Sequence, residues 1–345
     1  MAFPRPQYSR NQVNRAGEIL CRAQIELPDA DWAFDVLSNW RSCHGYPINT
    51  FQATLRTKLE GIDPDAIVAQ RLKRIPSILS KLRRFDSMQL ARMQDIGGLR
   101  AVVNTLGHVR EVRSNYRKSR FLHDLVAERD YIDSPKHSGY RGIHLVYRYK
   151  SDIAAQYNGL LLELQLRTKL QHTWATAVET MGTFLNHALK SSEGPEEWLD
   201  FFSLTGSAFA LKEKTTPVPR YAEMSAKETY AACNAEAERL NVRSRLEAFS
   251  VAANSISQHK GGGTYHLIVL DPINMTVQIN SYSRDRLEEA NKAYTKTEER
   301  IVKGESIQAV LVSAGPIDQL RRAYPNYFLD TREFLHQLDR LAKTK

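Results

Sequence analysis

Two acidic side chains sit in short apolar runs that neighbouring strands could bring together: Asp95, in Asp95-Ile-Gly-Gly-Leu-Arg100, and Glu163, in Glu163-Leu-Gln-Leu-Arg-Thr168. A carboxylate pair of this kind suits a hard cation. Magnesium fits best, because it binds through one or two carboxylates and fills its shell with substrate phosphates. Cations crowd the same stretch: Arg71, Lys73, Arg74 and Lys81 precede Asp95, Arg100 follows it, Lys136 precedes Tyr140, and Arg167 follows Glu163. Such groups neutralise phosphate charge, and arginine also stacks on bases. In Ser138-Gly-Tyr-Arg-Gly142, glycines flank an exposed-looking Tyr140 and let backbone approach a ligand, leaving the ring free to stack on a base. Together these residues suit a magnesium-bound nucleoside triphosphate. Taken singly, each has a plainer explanation: an acid at a surface or helix cap, residues 71–84 as a solvated helix face, and Tyr140, His144 and His172 as core.

Residues 9–84 predict an all-helical start, with apolar positions at helical spacing: Val13, Ala16, Ile19 and Leu20, then Trp32, Val36, Leu37 and Trp40, then Ile67, Leu72, Ile75, Leu79 and Leu82. From Gly97 the pattern changes to short apolar runs at 99–103, 142–149 and 159–166, which predict the strands of one sheet. Leu170, Trp174, Val178, Met181, Leu185 and Leu189 predict an amphipathic helix on that sheet, and residues 198–211 predict another. Two prolines in a polar run make 212–220 the expected linker. After Gly261-Gly-Gly263, alternating segments at 265–270 and 275–282 predict a hairpin across Asp271-Pro-Ile-Asn274. A helix at 284–299, a strand at 308–313 and two short terminal helices follow. The expected division is a unit of 1–215, a helical connector of 216–262 and a small α+β unit of 263–345, with no internal repeat.

With 345 residues, 42% hydrophobic and 25% charged, the chain suits two globular domains. A net charge of +9 favours an anionic partner, nucleotide or nucleic acid. Cys21, Cys43 and Cys233 make neither a disulfide framework nor a CxxC site, which points to the reducing cytoplasm. No window approaches the roughly 20 apolar residues of a membrane span, and Met1-Ala-Phe-Pro-Arg-Pro lacks a signal-peptide core, so neither membrane insertion nor secretion is expected.

Arg71-Leu-Lys73, Asp95-Ile-Gly-Gly-Leu-Arg100, Asp130-Tyr-Ile-Asp-Ser-Pro-Lys-His-Ser-Gly-Tyr-Arg-Gly-Ile-His144 and Glu163-Leu-Gln-Leu-Arg-Thr168 resemble, in order and spacing, the motifs of the RelA/SpoT synthetase domain. The resemblance covers residues 50–190. It implies an α+β, nucleotidyltransferase-like fold that moves the β,γ-pyrophosphate of ATP onto a ribose 3′-hydroxyl and releases AMP. It also implies that Asp95 and Glu163 hold Mg2+, with Glu163 helping to activate the hydroxyl. By the same resemblance, Arg71 and Arg100 contact the adenine of ATP, and Lys73, Ser77 and Lys81 its phosphates. Tyr140 stacks on the acceptor base, supported by Lys136, His144, Gln165 and Arg167. Such transfer needs alignment and charge neutralisation rather than a protein nucleophile. Long members carry an N-terminal hydrolase domain, but His123-Asp124 is a lone dipeptide and only a few tens of residues precede the synthetase region, so no hydrolase activity is expected.

Guanosine alarmone synthetases usually carry Asn where this chain has Ser138. That departure weakens GDP or GTP as acceptor. The toxic small synthetases of the family, similar in their ATP site, pyrophosphorylate the tRNA 3′-CCA end and stop translation. The basic balance is compatible with tRNA. Tyr324-Pro-Asn-Tyr327 is similar to the YxxY element of CapRel-type fused toxin and antitoxin members. There a C-terminal pseudo-zinc-finger domain covers the synthetase site, and the tyrosines block the adenine position until a phage capsid protein binds. The lack of CxxC agrees with a finger that holds no zinc. The expectation is an autoinhibited tRNA pyrophosphokinase. Its alternatives are a small synthetase of ppGpp or pppGpp and a silent RNA-binding module, the last disfavoured because RNA binding needs neither carboxylate.

Overall fold

Three helices lead the chain: α1 (Arg10–Cys21), α2 (Leu27–Ser42) and α3 (Gly45–Glu60). The computed structural model describes residues 3–22, 27–119, 121–185, 187, 189, 192–246, 265–271, 273–274, 276–313, 325 and 331–343. Ser9 opens α1 with a capping box, its hydroxyl accepting from Gln12 N–H while the Gln12 side chain reaches back. The all-helical expectation then fails. Ile67 and Leu72 lie in strand β1 (Ile67–Leu72), and helix resumes only at α4 (Ile75–Arg84). Apolar spacing had run across two elements; β-branched Ile67 and Val68 suit a strand, and Pro76 suits the first turn of the next helix.

Strands β2 (Gly97–Val103), β4 (Ile143–Arg148) and β5 (Leu161–Thr168) match the three predicted runs, while α5 (Leu106–Lys118) and β3 (Asp124–Asp130) are additions. Strand β3 is a mostly exposed edge, so it lacks the apolar alternation that marks the others. The sheet order is β1-β2-β5-β4-β3, with β2 and β5 parallel and all other neighbours antiparallel.

Directly paired residues share a face, so register sorts the side chains. Leu99, Ala101, Leu145, Leu162, Leu164 and Leu166 enter a core with the five helices α1 to α5. The opposite face carries Arg71, Arg100, His144, Glu163, Gln165 and Arg167: Arg71 lies opposite Gly98, Gly98 opposite Glu163, and Gln165 opposite both Arg100 and His144. Chemistry and core occupy the two sides of one sheet.

A second core joins α6 (Lys169–Phe184), α7 (Glu196–Lys212) and α8 (Ala226–Arg239) through Trp174, Val178, Trp198, Phe201, Phe209 and Cys233. Burying each such large side chain stabilises the fold by about 1.5–3 kcal/mol. Segment 212–220 is no free linker. Val218 is fully buried, and the Glu213 carboxylate is bonded by Arg141, Thr168 and Gln171.

The predicted hairpin is β6 (Tyr265–Asp271) with β7 (Thr276–Tyr282); Asp271 Oδ1 accepts from the N–H groups of Ile273 and Asn274 in its turn. Strand β8 (Gln308–Ser313) pairs on the other edge of β6, and α9 (Leu287–Val302) covers this small sheet through Ala290 and Tyr294. Helix α10 (Arg332–Ala342) instead buries Phe334, Leu338 and Leu341 in the second core. The expected 263–345 unit is therefore shared between two cores, because an apolar stripe packs wherever a complementary face is open. Tyr324, Tyr327 and Gly261-Gly-Gly263 lie outside the described residues.

A buried ion pair helps to fasten the small sheet to the large unit. Arg41 of α2 pairs with Glu298 of α9, both buried, and the Arg41 guanidinium lies 4.5 Å over the Tyr294 ring. Glu298 Oε1 also accepts from Ile75 N–H, the first residue of α4, at 2.7 Å. Nearby, Arg74 donates to Gln308 Oε1 at 3.1 Å and Gln308 Nε2 donates to Thr183 at 2.8 Å. Among the described residues, no helix is long and apolar enough to cross a membrane.

Candidate active site

Lys73, Ser77 and Lys81 recur every four residues, so α4 and the residue pair before it present them on one side. The Lys73 backbone is pinned by its N–H to Ile96 O at 2.8 Å, beside the turn that carries Asp95. Lys73 Nζ lies 2.7 Å from Asp95 Oδ2, and Lys81 Nζ 2.9 Å from Oδ1. Burial opposes ionisation of Asp95, but the two ammonium groups outweigh it and hold the carboxyl below its ordinary range. Arg71 and Arg100 stand on the same sheet face, one strand apart, with Arg100 buried.

Five side chains close a hydrogen-bonded ring beside this cluster. Glu163 Oε1 accepts from His144 Nδ1 at 2.8 Å, and Oε2 from Gln165 Nε2 at 2.6 Å. Arg167 Nη2 donates to Gln165 Oε1 at 2.8 Å and to the Tyr140 hydroxyl at 2.9 Å, and that hydroxyl bonds His144 Nε2. Burial disfavours the Glu163 anion, yet the His144 and Gln165 hydrogen bonds and the Lys81 charge bring its pKa below the ordinary value. Burial also holds His144 below its usual range despite Glu163. A neutral imidazole then donates from Nδ1 and accepts from Tyr140 at Nε2, so each of the five bonds of the ring joins one donor to one acceptor.

Tyr140 is not the exposed ring expected from its glycine neighbours. It is 4% exposed, edge-on to Trp174 and Tyr131, with the Arg167 guanidinium 4.9 Å from its centroid. Alternation could not show this, because the covering residues Tyr131, Arg167 and Trp174 come from three separate segments of the chain. Lys136 extends its ammonium to 4.5 Å from Tyr131 and 5.3 Å from Tyr140, and burial lowers its pKa. Two residues of this wall carried no assigned role in the sequence. They are Tyr131, within the motif that holds Lys136, and Arg129, whose register opposite His144 puts it on the same face. Position i and i+2 spacing from Tyr131 is the signal that could have flagged Arg129.

Among the described residues, no group of three or more His, Cys, Asp or Glu side chains could hold a metal ion. Asp95 and Glu163 do feel each other's charge, and both carboxyls are held in the ionised form. Two anionic oxygen donors fit magnesium when phosphates complete the shell. The structure thus groups Lys73, Lys81 and Asp95, and separately Tyr140, His144, Glu163, Gln165 and Arg167, on neighbouring strands.

Residues 70–183, about a third of the chain, match the family described as the region found in RelA / SpoT proteins. The GTP pyrophosphokinase YjbM of Bacillus subtilis is 34% identical over 135 residues, which are 35% of this chain and 63% of that protein. The uncharacterized protein Mb1401 of Mycobacterium bovis is 28% identical over 196 residues, 56% of this chain and 66% of that one. The chain therefore spans just under two thirds of the length of these relatives. Among solved structures, the small alarmone synthetase 1 from Bacillus subtilis bound to its product pppGpp is 29% identical with a TM-score of 0.41, covering 49% of this chain and 90% of that one.

Proposed function

We propose that the chain is an ATP-dependent pyrophosphokinase acting on the 3′-hydroxyl of the tRNA 3′-CCA end, held off by its C-terminal unit until a phage capsid protein binds there. The observation that carries the transferase reading is the Lys73–Asp95–Lys81 cluster standing close enough to the Glu163 ring for their charges to act on each other. Matching of residues 70–183 to the RelA / SpoT region supports it.

In this reading the ribose hydroxyl oxygen attacks the β-phosphorus of ATP, the bond from that phosphorus to the α,β-bridging oxygen breaks, AMP leaves, and the hydroxyl proton passes late in the transfer through Glu163 to solvent. Lys73, Ser77 and Lys81 hold the phosphates, with Arg71 and Arg100 on the adenine. Asp95 and Glu163 would hold Mg2+, and Lys73 and Lys81, which neutralise Asp95 in the structure, would then be free to face the phosphates. The cation supplies charge neutralisation between phosphates. Glu163 orients the attacking hydroxyl by accepting its hydrogen bond. Its depressed pKa suits orientation more than early deprotonation, which a loose transition state does not require. Tyr140 stacks on the acceptor base once Arg167 swings from its ring, and Lys136, His144, Gln165 and Arg167 frame that pocket.

Docking of the small sheet supports autoinhibition. Arg71 and Leu72 share a cavity of about 50 Å3 with Tyr265, Leu287 and Leu311, so the C-terminal unit abuts the strand assigned to the adenine side. Tyr324 and Tyr327 complete the block in this reading. The protein is then cytoplasmic and bound to no membrane, as translation requires. A second reading, pyrophosphate transfer to GDP or GTP, is favoured by the name of the Bacillus subtilis relative.

The test is transfer from γ-labelled ATP with Mg2+, offering deacylated tRNA and GDP in parallel, to the full chain with and without capsid protein and to Tyr327→Ala. Label on tRNA only after capsid addition or tyrosine removal is expected. Label on GDP without a trigger overturns both the acceptor and the autoinhibition.

A further inference from the structure

The loop that carries Tyr140 is anchored mainly by α7, which lies beyond the residues matched to the RelA / SpoT region. Within the loop, Gly139 N–H donates to Lys136 O at 2.9 Å and Lys136 N–H to Tyr140 O at 3.2 Å. Further contacts reach across to α7. Ser203 Oγ donates to His137 O at 2.6 Å. Gly139, at φ +89°, passes so close to Gly206 that a Cβ on Gly206 would lie 2.5 Å from Gly139 O.

The strongest anchor is a carboxylate. Arg141, 2% exposed, donates to Glu213 Oε2 at 2.7 Å and to Thr215 at 3.1 Å. Gln171 Nε2 donates to the same Oε2 at 3.0 Å, and the Thr168 hydroxyl donates to Oε1. Arg141 follows Tyr140 in the chain, and Thr168 follows Arg167. One side chain at the end of α7 therefore ties together the two segments whose Tyr140 and Arg167 meet in the candidate acceptor pocket.

We infer that Glu213 is a positioning residue for the acceptor pocket, setting the separation of Tyr140 from Arg167 through Arg141 and Thr168; this rests on the pyrophosphokinase reading above. A buried guanidinium is costly unless charged or hydrogen-bonding partners compensate it, and a carboxylate would do that for Arg141 wherever it sat. What is particular here is that the partner also takes donors from the start of α6. The bond count is a geometric constraint as well as a neutralisation, because charge-assisted bonds from two segments converge on one group.

The two roles are separable. Glu213→Gln keeps the shape and removes the charge; the double variant Arg141→Met/Glu213→Leu removes the buried charges together and lets apolar side chains fill the space. Each is compared with the full chain by hydrogen–deuterium exchange, thermal unfolding and, in a Tyr327→Ala background, KM for deacylated tRNA, GDP and ATP. In Glu213→Gln, exchange across 136–142 is expected to quicken about tenfold with α4 unchanged, and acceptor KM to rise about tenfold with ATP KM within about twofold. The double variant is expected to regain the wild-type melting temperature while loop exchange and acceptor KM stay raised. Unchanged loop exchange in Glu213→Gln, or recovery of both readouts in the double variant, overturns the inference and leaves Glu213 a neutralising partner. Faster loop exchange in a protein that labels neither acceptor upholds the placement of the loop and instead defeats the pyrophosphokinase reading.

Discussion

Both oxygens of Glu163 are engaged, one by His144 and the other by Gln165, and its anion is favoured against burial. Replacing it by Gln keeps the volume but turns an N–H2 toward one donor. Glu163→Gln is expected to cut transfer by about a hundredfold or more, the scale of losing a charge-stabilising group in a water-poor site, with little change in melting temperature. Steady-state rates beside a thermal scan check this; a rate within threefold of wild type would exclude a catalytic role. Sequence alone exposed the residues on the sheet face, since i, i+2, i+4 spacing in 163–167 displays them directly. It did not expose Glu213, which lies in a run whose prolines and charges read as linker, or the burial of Tyr140, which depends on Trp174 and Phe202 packing around its loop. Such partners are set by tertiary contact, and no local pattern encodes them.

Elements carry two further expectations. His44, at the corner between α2 and α3, is buried with Nδ1 bonded to Trp40 O at 2.9 Å, and burial pushes its pKa down to about 4 from 6.5. Between those values the unfolded chain binds a proton that the folded chain does not. Stability therefore falls as pH drops from 6.5 to about 4, by up to about 3 kcal/mol from this residue. Denaturant titrations at stepped pH should show that slope flattened in His44→Gln. The second expectation concerns α7. Gly206→Ala puts a methyl against the backbone of Gly139, so the acceptor loop must shift; overpacking of this kind costs about 1–3 kcal/mol. A lower melting temperature with raised acceptor KM and unaltered ATP KM is the expected result. The strands β2, β4 and β5 were legible because both their faces carry meaning, core on one and polar chemistry on the other. Strand β1 was not, because Ile67 and Leu72 fall by chance at the spacing of the helix that follows.

For the molecule as a whole, the seam between the small sheet and the large unit turns on Arg41 and Glu298. Removing one member of a buried pair strands the other, at about 3–5 kcal/mol. Glu298→Ala also leaves Ile75 N–H without its acceptor. Under the autoinhibited reading, Glu298→Ala is expected to label tRNA without capsid protein and to quicken amide exchange in α9; silence in the labelling assay alongside faster exchange would show that undocking alone does not open the site. The order of residues along the chain adds a matter of timing. Glu213, the last residue of the candidate site, emerges from the ribosome about a hundred residues before β8, which rests against β1. At roughly 5–20 residues per second, that leaves about 5–20 s during synthesis when the site can assemble before β8 is made. Under the autoinhibited tRNA reading, every newly made molecule would pass through an uncovered interval beside the tRNAs that are making it, and the pace of translation through residues 214–308 would become part of how safely the cell could produce this protein.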